Sequence, residues 1–298
     1  MNSSENLYVN EEDDTPFLAT DPKLFSFKNM FQFIRIGIPR VLLIILVLIS
    51  TIFVSFTITK NPSAYNSFWI KWGTLLFLKI YGVRKIEIDE ESRRNIESSR
   101  AKIIIVNHCN YVDSFPILHL FPDAKIICSD FIKDIPILSR FSNNNAIYLK
   151  STFHGDNISQ KIVEEVENGN RIIIFAEGVC SNPELLLKLR GGGFVPQKDI
   201  LPVHISYGNT FFVNGEQDML QHFLWQSSLL ENKVKIRVLK DYSIKEEDKK
   251  DIEIFKENFR IYYARGFGIK LSRYSYLDHP YLNLKNEKLK KKGLKKNE

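Results

Sequence analysis

His108 and Asp113 stand five positions apart in the stretch IIIVNHCNYVDSFPIL, residues 103–118. A carboxylate on one imidazole nitrogen fixes the tautomer and supports the imidazolium that forms when the other nitrogen takes a proton. Such a dyad is a general base for a hydroxyl. The spacing restricts where the dyad can form. On an ideal helix of roughly 3.6 residues per turn the two side chains would point about 140° apart. They meet only if His108 lies in a turn and Asp113 in the first turn of the helix that follows. The residues allow it: a strand over 102–106, a turn over 107–110, and a helix opened by Asn110 with Asp113 three residues on. The same residues also fit a reading without chemistry, with Asp113 as helix-start charge and His108 as a satisfied polar group at a strand end. This stretch leaves both open.

A second group lies in FAEGVCSNPE. A strand runs into Glu177 and Gly178, followed by a helix-start pattern at Ser181, Asn182 and Pro183. Glycine lets a ligand approach the backbone, and free N–H groups at a helix start bind phosphate. Glu177 would hold a ligand hydroxyl or a cation that binds one; the other reading is an ordinary strand-to-helix turn. Downstream, KLRGGGFVPQ sets Lys188 and Arg190 beside Gly191, Gly192 and Gly193, a basic glycine-rich loop suited to phosphate. It has neither the Walker nor the dinucleotide-binding spacing. Lys150 ends the run NNNAIYLK and reads either as a surface lysine or as a phosphate-binding cation. Cys109, Cys128 and Cys180 match no disulfide or zinc spacing and are expected as reduced, buried thiols. No metal site is expected.

These residues need a scaffold, and the pattern between them is α/β. Short Ile/Val-rich runs begin near Lys85, Lys102, Ala124, Ala146, Arg171, Ile200 and Val234. Continuous apolar runs of this kind suit strands covered on both faces. Helices are expected over 157–168, from an Asn cap to a following glycine, and over 251–267, ending before Gly268. The fold class that follows is α/β, a mixed sheet covered by helices.

The N-terminal region differs. Residues 41–58 carry no charge, with Arg35 and Arg40 before them and Lys60 after. With the flanking FQFIRIGIP they reach across a hydrocarbon core of about 30 Å. Pro39 marks a kink or a helix start. The following SFWIKWGTLLFLKIYGV has the aromatic and lysine pattern of a helix at headgroup level. The formal net charge is +6, which attracts phosphate-bearing partners. The apolar segment selects a lipid bilayer over nucleic acid as that partner. Residues 1–30 read as an acidic, disordered tail, 31–83 as membrane-anchoring helices, 84–282 as the catalytic domain and 283–298 as a basic, disordered tail.

In this order the residues resemble the glycerolipid acyltransferases, the lysophosphatidic-acid and lysophospholipid acyltransferases. The family's N-H-x-x-x-x-D block stands here as Asn107, His108 and Asp113. Its basic residue after a short strand, usually Arg, corresponds to Lys150. Its E-G-T-R-S block corresponds to Glu177, Gly178, Val179, Cys180 and Ser181, and its strand proline to Pro202. EGVCSN and RGGGF are similar to the subgroup acting on lysophosphatidylcholine and lysophosphatidylethanolamine. Val179 replaces the family's threonine, and Lys150 its arginine.

The resemblance implies an acyl-CoA-dependent transfer of a fatty acyl chain to the free hydroxyl of a lysoglycerophospholipid. His108 would be the base and Asp113 its orienter, with Asn107, Lys150, Glu177, Gly178, Val179, Cys180, Ser181, Arg190 and Pro202 around the substrate. Acyl-CoA is a substrate, no cofactor is implied, and neither Cys109 nor Cys180 is required as a nucleophile. A glycerol-3-phosphate acyltransferase, a CoA-independent transacylase and an inactive lipid-binding homologue remain alternatives. The end Lys295-Lys296-Asn297-Glu298 resembles a dilysine retrieval signal, which implies the endoplasmic reticulum with a cytosol-facing site.

Overall fold

The structure, a computed structural model, describes residues 7–10, 13–17, 27–57, 62–129, 146–149, 158–208 and 219–279. Lys150 and the lysine-rich end lie outside these residues. A continuous helical stretch opens the fold: α1 (Phe27–Gln32), a π-helical segment (Phe33–Gly37) and α2 (Ile38–Thr57). Pro39 lies inside this helix and is not where it starts. A proline ring crowds the carbonyl four residues back and removes one N–H bond. The wider π turns just before it make the room.

Next come α3 (Pro62–Ile80), β1 (Val83–Ile88), α4 (Glu90–Ser98), β2 (Ile103–Val106) and α5 (Ser114–Leu120). They are followed by β3 (Lys125–Ser129), β4 (Ala146–Leu149), α6 (Ile158–Glu167), β5 (Ile172–Phe175), β6 (Leu185–Leu186) and β7 (Ile200–Tyr207). The chain continues with α7 (Met219–Ser228), β8 (Asn232–Val238), α8 (Ile252–Phe267) and β9 (Lys270–Leu271). Each of the seven expected runs becomes a strand of one seven-stranded sheet, in the order β1-β8-β7-β2-β5-β3-β4. All neighbours are parallel except β7 and β8.

The central strands explain the sequence pattern. Ile103, Ile105, Ile172 and Ile174 face one helical layer, packing with Ile162 of α6 and with Phe255, Phe259 and Tyr263 of α8. Ile104, Val106 and Ile173 face the other, with Leu78 of α3 and Ile117 of α5. With both faces covered, every position is apolar and no alternation shows. Toward the edge, β8 alternates buried and exposed residues. Asp251 caps α8 through the Glu253 N–H, and Gly268 closes it in the left-handed region at φ 68°.

Two divisions read from composition change. The boundary at residue 83 cuts through a packed core, because Leu78 of α3 and Val83 of β1 belong to the same cluster as β2 and β7. The apolar helix is also fastened sideways to the domain. Gln32 Nε2 donates to the Ser228 carbonyl at 2.9 Å, and the Arg40 guanidinium donates to the carbonyls of Ser227, Leu229 and Leu230. Arg40 thus closes the C-terminal end of α7, where a cation is favoured.

In place of a disordered tail, residues 7–10 and 13–17 form a strap on the α/β domain. Val9 N–H donates to the Leu271 carbonyl at 3.1 Å, and Tyr8 bridges the edge of β9. Asp14 is buried and accepts from Ser272 Oγ at 2.6 Å and from the Arg273 N–H at 2.8 Å. The Pro16 carbonyl accepts the Asn182 N–H at 2.8 Å. Net charge hid the strap's apolar members: Leu7 and Tyr8 pack on the core, and the Phe17 ring meets His279.

Candidate active site

His108 lies two residues past the end of β2, the strand between the parallel strands β5 and β7. In open α/β sheets the crevice outside the carboxyl ends of such strands is where ligands bind. The chain turns through Tyr111–Asp113 before α5, one turn later than an Asn110 cap would begin it. Asn110 Oδ1 instead accepts the Val112 N–H within the turn. That turn brings His108 Nδ1 to 2.9 Å from Asp113 Oδ2.

Asp113 is fully buried and satisfied. Oδ2 also accepts the N–H groups of Cys109 at 2.7 Å and Asn110 at 2.8 Å, and Oδ1 accepts the Tyr207 hydroxyl at 2.8 Å. The His108 side chain keeps 23% of its surface exposed, so its other nitrogen is within reach of a ligand. Burial lowers the imidazolium's pKa, while the hydrogen-bonded Asp113 carboxylate raises it and favours a proton on the ring. The His108 ring also rests on Phe175, the last residue of β5, with centroids 4.6 Å apart.

The strand β5 delivers the second group to the same place. Glu177 is buried, and all its partners donate: His108 N–H to Oε1 at 3.1 Å, Ser181 Oγ at 2.7 Å and Leu187 N–H at 3.1 Å to Oε2. Burial pushes its pKa up to about 7 against the pull of these donors. In return Ser181 N–H donates to the His108 carbonyl at 2.7 Å. Glu177 and Ser181 therefore clasp the backbone of His108, and the buried Glu177 carboxylate is turned to that backbone and not to a ligand. Asn107 is engaged in the same way. Its amide exchanges two hydrogen bonds with Ile205 of β7, at 3.0 and 2.7 Å, and ties the end of β2 to its neighbour.

Gly178 is exposed with φ +77°, and a Cβ there would stand 2.7 Å from Cδ of Arg190. The bare backbone thus lets Arg190 lie against the loop, with its guanidinium 4.7 Å over the Tyr276 ring. Val179 is half-buried beside it, and Cys180 is buried against the imidazole. Burial raises the thiol pKa of Cys180 and of Cys109, which leaves neither a ready nucleophile at neutral pH. Gly193 answers to packing, since a Cβ there would press on Ile174 Cδ1 at 3.0 Å. Pro202 is buried in β7 and faces the end of the β8 ladder, where its carbonyl accepts the Leu239 N–H. A proline is tolerated where the ladder stops. Among the described residues no group of three or more His, Cys, Asp or Glu is placed to hold a metal ion.

Sequence reasoning passed over Tyr207 and the strap. The only signal for Tyr207 was its place at the end of an expected strand. Its partner lies 94 residues earlier.

A family model described as acyltransferase matches residues 87–206, a span that holds His108, Asp113 and the Glu177 loop. The chain is 27% identical over 188 residues to a lysophosphatidylcholine acyltransferase of Drosophila melanogaster, covering 59% of this chain and 35% of the relative. It is 29% identical over 202 residues to lysophosphatidylcholine acyltransferase 1 of Danio rerio, 63% and 38% of the two chains. For the Homo sapiens protein of that name the values are 26% over 243 residues, 74% and 43%. The chain thus spans about two-fifths of the length of these relatives. The fold resembles the 1-acyl-sn-glycerophosphate acyltransferase of Thermotoga maritima, with a TM-score of 0.55 at 16% identity, over 80% of this chain and 95% of that one. With its N-H-x-x-x-x-D turn folded into a His–Asp pair at the carboxyl end of the sheet, the chain carries an acyltransferase-family domain over residues 87–206 and is similar to the glycerolipid acyltransferases.

Proposed function

We propose that the chain is an acyl-CoA-dependent O-acyltransferase whose acceptor is a lysoglycerophospholipid. The observation that carries this reading is the buried Asp113 carboxylate on Nδ1 of a partly exposed His108. With Nδ1 so engaged, Nε2 takes the proton of the acceptor's free glycerol hydroxyl as its oxygen attacks the thioester carbonyl carbon. The tetrahedral carbon collapses, the C–S bond breaks, and the imidazolium returns the proton to the departing thiolate. An ester and the CoA thiol leave. The chemistry asks for no metal or bound cofactor, and a base-activated hydroxyl needs no cysteine intermediate.

Arg190 supplies the acceptor's phosphate with a cation. It lies beside Gly178 on the loop that clasps His108, and, unlike Glu177 and Asn107, its guanidinium is turned to a ring face and not locked onto the backbone. Lys150 is the second cation the family pattern offers.

The helix through α1 and α2 supports a membrane as the setting of this chemistry. Its Met30–Val47 window is apolar enough to cross one by length and composition. Phe31, Ile34, Leu42 and Leu46 are exposed, whereas Gln32, Arg40 and Ile44 dock on the domain. An exposed apolar face this long marks a contact with lipid. A helix fastened along a polar body lies most favourably in one leaflet, since the body cannot follow it into hydrocarbon. The acceptor's acyl chain and its hydroxyl then reach the site from the same interface.

The test is acyl transfer by the chain in phospholipid vesicles, with and without labelled acyl-CoA. The acceptors are lysophosphatidylcholine, lysophosphatidylethanolamine, lysophosphatidic acid and glycerol 3-phosphate. Labelled diacyl product that requires acyl-CoA is expected. His108→Ala abolishes it and leaves the chain on the vesicles. Undiminished turnover in that variant sinks the mechanism, and product formed without acyl-CoA identifies a transacylase instead.

A further inference from the structure

The Asp113 carboxylate is gripped from two different parts of the fold. Oδ2 has local donors only: His108 Nδ1 and the N–H groups of Cys109 and Asn110. Oδ1 has the Tyr207 hydroxyl at 2.8 Å, beside a weak contact to Cys109 Sγ at 3.9 Å. A carboxylate only accepts, so the hydroxyl donates. The last carboxylate torsion is soft. A strong donor on the far oxygen therefore fixes the plane in which the near oxygen meets the imidazole.

We infer that Tyr207 is a positioning residue: its hydroxyl sets the plane of Asp113, and its ring couples that plane to the docking of the apolar helix. Tyr207 ends β7, and its ring packs against the cluster of Ile44, Ile80, Tyr81 and Val112, which Val47 and Phe223 also join. Ile44 and Val47 come from α2, the helix whose outer face meets lipid in the proposed function. Burial and the Asp113 carboxylate push the Tyr207 phenol well above its ordinary pKa, so it stays a neutral donor throughout the working range. The other titratable groups facing the pair are Cys109 and Tyr81 near Tyr207, and Cys180 and Glu177 near His108. Replacing one neutral phenol by a phenyl ring changes the charge of none of them.

The inference rests on His108 being the base, and its test separates the two ideas. Tyr207→Phe keeps the ring in its cluster and removes only the hydroxyl. In the full chain, held in lipid nanodiscs, two quantities are read: kcat and KM for acyl transfer, and the titration of the His108 ring by NMR of labelled histidine. The His108 signal is identified by its loss in His108→Gln. The expected result is a fall in kcat of about 10- to 100-fold, the range of one hydrogen bond to a charged group, with KM for acyl-CoA within about twofold. Freed of its far donor, Asp113 pulls harder on the imidazole proton, so the His108 midpoint and the acid limb of the rate profile both move upward. A midpoint and a kcat both unchanged from the unsubstituted chain overturn the inference and leave the proposed reaction standing. A moved midpoint in a chain that transfers no acyl group keeps the positioning role and overturns the reaction.

Discussion

Oε1 of Glu177 accepts the backbone N–H of His108 at 3.1 Å, so the acid of one sequence block holds the base of another from behind. The remaining oxygen collects Ser181 Oγ and the Leu187 N–H. The loop after β5 and the turn after β2 are thereby one rigid unit.

Glu177→Gln tests this clasp. The amide sets an NH2 group against neighbours that are themselves donors, leaving a buried group unpaired at a cost of about 1–3 kcal/mol. Chemical or thermal unfolding in detergent reads that loss. Acyl transfer falls as well, through kcat more than KM, because the His108 backbone is released. Full activity in this variant is incompatible with the clasp.

The pH dependence of stability carries two opposing slopes. Glu177, with its pKa raised from 4.5 to about 7, binds a proton more tightly folded than unfolded. Its contribution is largest below pH 4.5 and is lost as pH rises to about 7. His204, buried on β7 near Arg237, has its pKa lowered from 6.5 to about 3. Its contribution is present above pH 6.5 and is lost as pH falls toward 3, in total about 5 kcal/mol. Between pH 4.5 and 6.5 the two nearly cancel. Unfolding free energies measured across that interval are expected to tilt downward with rising pH in His204→Gln and upward in Glu177→Gln. The same tilt in both variants contradicts the assignment.

Gly178→Ala tests the loop's use of bare backbone. A Cβ at φ +77° is strained, by about 1–2 kcal/mol, and would stand 2.7 Å from Arg190 Cδ. Arg190 must move off the loop. KM for a phosphate-bearing acceptor is expected to rise by about tenfold, the loss of one charge-assisted contact, with kcat changed less. Steady-state kinetics with varied acceptor decides, and an unchanged KM removes Arg190 from acceptor binding.

What was legible in the sequence follows from how locally each feature is encoded. The buried central strands announce themselves as Ile103–Val106 and Ile172–Phe175, because two covered faces leave no polar position. The His108–Asp113 pair was legible because five residues and one turn are a local matter. Its helix begins at Ser114, later than Asn110 suggested, since Asn110 spends its side chain on Val112 inside the turn. The roles of Asn107 and Glu177 were not legible. A motif shows that a polar residue belongs at a position, but not whether it faces a ligand or the backbone of a neighbouring strand. Tyr207 was hidden for a related reason, since its meaning depends on β7 lying beside β2. Composition misjudged the strap, because six acidic side chains in residues 1–22 outweigh Leu7, Tyr8 and Phe17 in any average.

That strap also fixes an order of events during synthesis. Asp14 pairs with Ser272 across 258 residues. At roughly 5–20 residues per second, the first segment waits tens of seconds for its seat to leave the ribosome. The apolar helix emerges early in that interval, while most of the sheet is still unmade. Pro16 then seats on Asn182, next to the Ser181 that clasps His108, only after residues 271–273 have emerged. The newborn chain thus presents its apolar helix before the last brace around His108 closes.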